Sequence, residues 1–371
     1  MIKDPAHKPT HMDDRYNVAG EKYTTMRGIE RDARLRLSEM CWNYLSCGTG
    51  DEVTLRENII AFDDYRFEAP LFAGVSNPDT STRVLDIDLS FPAFVAPFGG
   101  GESVFHPDGH LALGRAAQNI GISQMVPVAA SHSLEDVAKA SSVATIFQMT
   151  FAGDEEAALD MIERANDAGY RYICVTYSPI RQWRERMMED RFSVRGQGPA
   201  ANFGKGKSDP AALEELLNFT KPRWTWKQAE HVIQRSKLPC IVKGVASVRD
   251  AKASIDAGAI GLYVSNYGGR TIDRTPPAIH ALPHVRKAVG EQVPIIFDSG
   301  IRRGSDIACA IALGANAVAL GRVLALGLAA DGQAGATSVL QILQKEFWTT
   351  LGHLGCSNVS ELNQDVLFKG F

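Results

Sequence analysis

At 371 residues and 45% hydrophobic composition, the chain can bury a substantial core, and barrel folds of this length often form one unit. Its 39 basic and 43 acidic residues give a formal net charge of -4 with no basic block, which argues against a nucleic-acid partner. No run approaches about 18 uninterrupted apolar residues, so no membrane span is expected. The six cysteines are scattered without CxxC spacing, the pattern of reduced thiols in a cytoplasmic protein rather than of a disulfide or metal framework.

The first ninety residues read as a helical prefix. Residues 32–45 carry helical apolar spacing, and residues 51–62 resemble a second short helix. From there, apolar runs at 91–97, 124–128, 145–151, 172–177, 240–245, 261–266, 294–298 and 317–321 alternate with amphipathic stretches such as 155–168, 248–257 and 305–313. Three of those stretches end in Ala168-Gly169, Ala257-Gly258 and Leu313-Gly314, the glycine signal of a helix C-terminus. Eight strand-then-helix units predict a (β/α)8 TIM barrel over about 91–335, within a single domain spanning 1–371. A doubly wound sheet would share the pattern but gather its chemistry at one switch point. Here the chemistry-bearing residues end several different strands. Between the fourth and fifth runs, residues 178–225 form a long polar stretch, read as a lid loop over the barrel mouth. Near the end, residues 337–359 are amphipathic enough to pack on the barrel or on a neighbouring chain.

The last two strands are followed by Asp298-Ser299-Gly300-Ile301-Arg302 and by Gly321-Arg322. Loops at these places commonly hold phosphate, with exposed amides and arginines meeting the anion. Lys243 ends the fifth strand, where a lysine is costly unless it meets an anion or an electron-rich ring; a salt bridge at the barrel mouth is the plainer alternative. The sixth strand runs into Ser265-Asn266-Tyr267-Gly268-Gly269-Arg270.

Together these motifs resemble the FMN-dependent 2-hydroxy-acid oxidases and dehydrogenases (the glycolate oxidase, lactate oxidase and mandelate dehydrogenase family), over about residues 25–362. The resemblance implies one FMN, held by the two phosphate loops. Lys243 and Ser265 would lie beside the flavin, Gln148 and Thr176 on its pyrimidine edge, and the Pro97-Phe98-Gly99 backbone against its ring. It also implies a carboxylate substrate bound by Tyr44, Arg184 and Arg270, dioxygen or another electron acceptor, and a homotetramer.

The acid–base positions depart from that pattern. Tyr267 stands where the family has its catalytic histidine, and Ser178 falls near the aspartate that holds it. Thr150 replaces a substrate-contacting tyrosine, while Pro127 and Ala129 replace larger or polar neighbours and are expected to widen or reshape the pocket. A phenol, with an ordinary pKa near ~10 against ~6.5 for imidazole, suits a donor better than a base. His280 and His284 read as a solvated helix face and offer no replacement. The expected function is an FMN oxidoreductase acting on a small carboxylate, a 2-amino or otherwise modified acid, with Tyr267, Arg270 and Lys243 as catalytic residues. The alternatives are non-redox or lyase-type chemistry with Tyr267 as proton donor, a conventional 2-hydroxy-acid oxidase, and a flavoprotein without turnover.

Overall fold

The computed structural model describes residues 21–99, 102–150, 154–177, 183–192, 201–203 and 224–368. The prefix contains α1 (Met26–Arg36), α2 (Glu39–Ser46) and α3 (Val53–Ile60). The helix expected over 32–45 is therefore two helices. Leu37 and Ser38 are extended, and the Ser38 hydroxyl accepts from the Cys41 amide, which starts a new helix rather than continuing the old one. A hairpin follows, β1 (Thr82–Val84) with β2 (Ile87–Leu89). Its turn residue Leu85 takes a hydrogen bond from the Tyr172 hydroxyl and packs near Gly261, so the hairpin lies at the N-terminal ends of the barrel strands.

Eight parallel strands close the barrel: β3 (Ala93–Val95), β4 (Ser123–Pro127), β5 (Ala144–Thr150), β6 (Tyr172–Thr176), β7 (Cys240–Val245), β8 (Gly261–Val264), β9 (Ile295–Phe297) and β10 (Ala317–Leu320), which pairs back to β3. Each expected apolar run contains one strand to within a residue or two. These strands are covered on both faces, inside by side chains such as Phe94 and Tyr263 and outside, where Phe147 and Phe297 point, by helices and the prefix, so their sequences are continuously apolar rather than alternating. The outer layer is α4 (Gly109–Ile120), α5 (Leu134–Ala140), α6 (Glu155–Asp167), α8 (Trp226–Arg235), α9 (Val248–Asp256), α10 (Ala278–Val289), α11 (Gly304–Ala312) and α12 (Arg322–His353), while the short α7 (Glu185–Glu189) packs on α2 of the prefix.

α12 is long and apolar enough to cross a membrane by composition, but two-thirds of that window (67%) is buried inside the protein. Its chain kinks at Asp331 and Gly332. Beyond the kink, Val339, Leu340, Leu343, Phe347 and Leu351 are buried, so the 337–359 segment packs on its own barrel. Of the 178–225 stretch, most lies outside the described residues, Ser178 included. Its described parts are pinned down. Asn202 is buried, donating to the Val128 carbonyl and accepting from the Leu134 amide, while Arg186 of α7 bonds Glu52, Asn43 and Ser46 of the prefix.

Candidate active site

The prefix folds over the C-terminal mouth of the barrel, and polar contacts hold it there. Asn58 and Asn266 exchange amide hydrogen bonds at 2.8 Å, and the Thr49 amide donates to the Gly269 carbonyl at 2.9 Å. Between prefix and barrel lies a cavity of about 280 Å³. Pro97, Phe98 and Gly99 after β3, Lys243 on β7, and the 298–302 and Gly321-Arg322 loops border it, with Tyr44, Arg184, Tyr267 and Arg270. Four expected residues do not border it: Gln148, Thr150, Thr176 and Ser265. They still lie on one rim, since Thr150 pairs with Thr176 and Thr176 with Lys243 across adjacent strands. Pro127 and Ala129 are also not on the wall, so they touch the pocket only from behind its lining. Pro127 packs on Gly99, where a Cβ would meet its ring at 2.8 Å.

The positive charges sit at two depths. Arg322 gives its guanidinium to three backbone carbonyls, Gly268 and Cys47 at 2.9 Å and Leu45 at 3.3 Å. Burial, with Arg270 and Arg302 nearby, holds its pKa well below the usual arginine range. Burial likewise lowers Arg302, whose bond goes to the Ile301 carbonyl. Among the described residues, neither arginine has a carboxylate within ion-pair distance. Two buried cations that repel each other's charge are what a phosphate would neutralise. Gly300 keeps the loop open at φ +98, and a Cβ there would be driven into the Asn58 carbonyl. The Thr176 hydroxyl is buried without a partner among the described residues, as a group awaiting a cofactor edge would be. The residues present therefore fit FMN.

Lys243 meets both partners that its position demanded. Its Nζ donates to the Ser265 hydroxyl at 3.1 Å, lies 3.4 Å from Asp298, and sits 4.5 Å from the ring centroids of both Tyr263 and Tyr267. At the outer end, Arg270 donates to the Tyr44 carbonyl at 2.8 Å and lies over the Tyr44 ring, which stacks on Phe105. Sequence reasoning missed Glu102, a buried carboxylate on the same wall that accepts from the Ser131 hydroxyl at 2.7 Å. Its signal was a lone acid in a glycine-rich turn, which by itself marks nothing.

Tyr267 has left-handed backbone, φ 60, and its hydroxyl donates to the Tyr177 carbonyl at the end of β6, 2.8 Å away. Burial raises the phenol pKa, and the charge of Asp298 adds to the rise. The ring lies across Gly244, which has φ +97 and where any Cβ would be driven into the Tyr267 hydroxyl. Gly244→Ala should accordingly cost roughly 1–3 kcal/mol in chemical denaturation, from backbone strain and clash together. It should also shift the Tyr267 ring, and wild-type stability in that variant would disprove the packing.

The family profile described as FMN-dependent dehydrogenase matches residues 33–369. Glycolate oxidase 3 of Arabidopsis thaliana is 34% identical over 349 residues, covering 92% of this chain and 95% of the relative. An L-lactate oxidase of Nostoc sp. is 34% identical over 351 residues, covering 91% and 96%. A crystal structure of mandelate oxidase superposes with a TM-score of 0.85 at 32% identity, covering 93% of this chain and 98% of that one. With the barrel, the phosphate-side arginines and Lys243 in place, the chain belongs to the FMN-dependent dehydrogenase family and is an FMN-dependent oxidoreductase of the 2-hydroxy-acid oxidase type.

Proposed function

We propose that this enzyme oxidises a small acid whose 2-substituent needs no histidine base, a 2-amino or otherwise modified acid, with dioxygen or another acceptor taking the electrons. The observation that carries this reading is the direction of the Tyr267 proton. It points at the Tyr177 carbonyl, and a half-buried phenol whose pKa is raised suits a donor rather than a base toward substrate. No histidine is among the described residues that border the cavity. FMN, when bound, supplies the hydride acceptor. Arg270 and Arg184, with the Tyr44 phenol, would clamp the substrate carboxylate. Glu102 stands on the turn that carries Phe105, which stacks on Tyr44. A carboxyl oxygen there can accept from the N–H of a neutral 2-amino group, the form of the substrate that can release hydride without a base. A homotetramer belongs to the same proposal and rests on the family resemblance alone.

The test is anaerobic mixing of the FMN-loaded enzyme with panels of 2-amino and 2-hydroxy acids. Bleaching of the flavin by amino acids is the expected result. Bleaching by hydroxy acids alone overturns the proposal and establishes a second reading, simple 2-hydroxy-acid oxidation, which the names of the glycolate and lactate oxidase relatives favour.

A further inference from the structure

We propose that Ser299 is a positioning residue whose hydroxyl holds the turn that carries Tyr267 and Arg270, rather than a cofactor contact. The turn needs outside help. Tyr267, Gly268 and Gly269 are left-handed in succession, at φ 60, 61 and 74, and such a run satisfies few of its own amides. Two serine hydroxyls serve them instead. Ser265 Oγ accepts from the Tyr267 amide at 3.0 Å; Ser299 Oγ accepts from the Gly268 amide at 3.0 Å and the Asn266 amide at 3.4 Å. Both serines donate to the same oxygen of Asp298, Ser299 at 2.9 Å. The second oxygen of Asp298 takes the Tyr263 hydroxyl at 2.8 Å and faces the Lys243 ammonium. One carboxylate beside the cofactor lysine thus anchors both hydroxyls that cradle the turn. From the other side, Arg322 donates to the Gly268 carbonyl, so the 268 residue is gripped at both its amide and its carbonyl by the two loops that face phosphate.

The backbone of Ser299 marks this as an arrangement kept at a cost. Its φ is 88, in the region where glycine is cheap and a side chain is strained. A glycine would relax the chain but could accept nothing. The hydroxyl's one donor and two acceptor sites are all used, leaving none to address a ligand. The consequence for Arg270 as a carboxylate clamp rests on the reading under Proposed function; the holding of the turn does not.

The experiment compares wild type, Ser299→Gly and Ser299→Ala as FMN-loaded enzymes, by thermal melting and by hydrogen–deuterium exchange over peptides spanning residues 265–271. Ser299→Gly should melt at or above the wild-type temperature, because strain is relieved, while exchange at the turn amides rises about tenfold. Ser299→Ala should show the same faster exchange with a lower melting temperature. A merely structural serine would not move stability and local protection in opposite directions. Exchange within about twofold of wild type in both variants overturns the proposal. Titration with oxalate, read by the visible spectrum of the bound flavin, should weaken about tenfold in Ser299→Gly. If wild type itself fails to bind oxalate, the carboxylate reading of the site falls, and the exchange data alone decide the role of Ser299.

Discussion

Arg322→Met is expected to raise the FMN dissociation constant by on the order of 10²-fold or more, measured by fluorescence of flavin released on dilution. Each charged hydrogen bond is worth roughly 1.5–3 kcal/mol, and a guanidinium facing phosphate makes more than one. Arg322 also supports its surroundings, since the carbonyls of Leu45, Cys47 and Gly268 all accept from it. Removing it loosens the seam between prefix and barrel as well as the anion site. The neighbouring cations sharpen the effect. Burial, Arg270 and Arg302 depress the Arg322 pKa in the protein alone, so an anion relieves a repulsion that already exists. Arg303→Met is the control. Arg303 is exposed and pairs with Glu346 at 2.8 Å, the kind of surface pair worth ~0–1 kcal/mol, so FMN affinity should change by less than about threefold. Equal losses in the two variants would show that general positive charge, not the Arg322 geometry, holds the cofactor.

The barrel was legible because its strands are buried on both faces and so stand out as unbroken apolar runs. The strand of residues 240–245 coincides with its run, those at 123–127 and 144–150 are offset from theirs by one residue, and the others lie inside theirs. The phosphate loops were legible because two glycine-arginine elements follow the last two strands, one β/α unit apart, where barrels commonly hold phosphate, although one such pair alone marks little. What stayed hidden depends on contacts between distant segments. Nothing near Arg322 announces that Cys47 and Leu45 will be its partners, 275 and 277 residues away. The break at Ser38 was missed because its cap competes with a helical spacing that runs through it. Pro127 was read, with Ala129, as widening or reshaping the pocket, whereas its ring stands behind Gly99, which itself borders the cavity. Tyr267 could be singled out by type, but the target of its proton could not, because Tyr177 lies 90 residues earlier on another strand.

On the proposed reading, turnover of lactate or glycolate by the wild-type enzyme should fall roughly 10²–10⁴-fold below that of an enzyme with a general base, because no histidine is among the described residues that border the cavity. Tyr267→Phe removes only the phenol oxygen and its bond to the Tyr177 carbonyl. It should cost about 0.5–1.5 kcal/mol of stability and leave the native reaction within about tenfold. A loss of roughly 10²–10⁴ in kcat would instead make the phenol a proton donor in the transition state. Tyr267→His is the sharper variant. Histidine tolerates left-handed backbone better than most residues, so φ 60 is no obstacle to folding. The shorter ring gives up the reach to Tyr177 and offers an imidazole nitrogen near the cavity instead. Weak lactate oxidation should appear, held down because Thr150 and, in the sequence, Ser178 offer no carboxylate to orient the ring. Its pH dependence identifies the base. An imidazole must be neutral to accept a proton, so the new activity should rise with pH through about 6.5 and vanish below it. The wild-type phenol, with its pKa pushed upward by burial, should add no ionisation across the same range. Rapid wild-type turnover of lactate, with a rise through that same pH, would mean that a base outside the described cavity wall already serves this site.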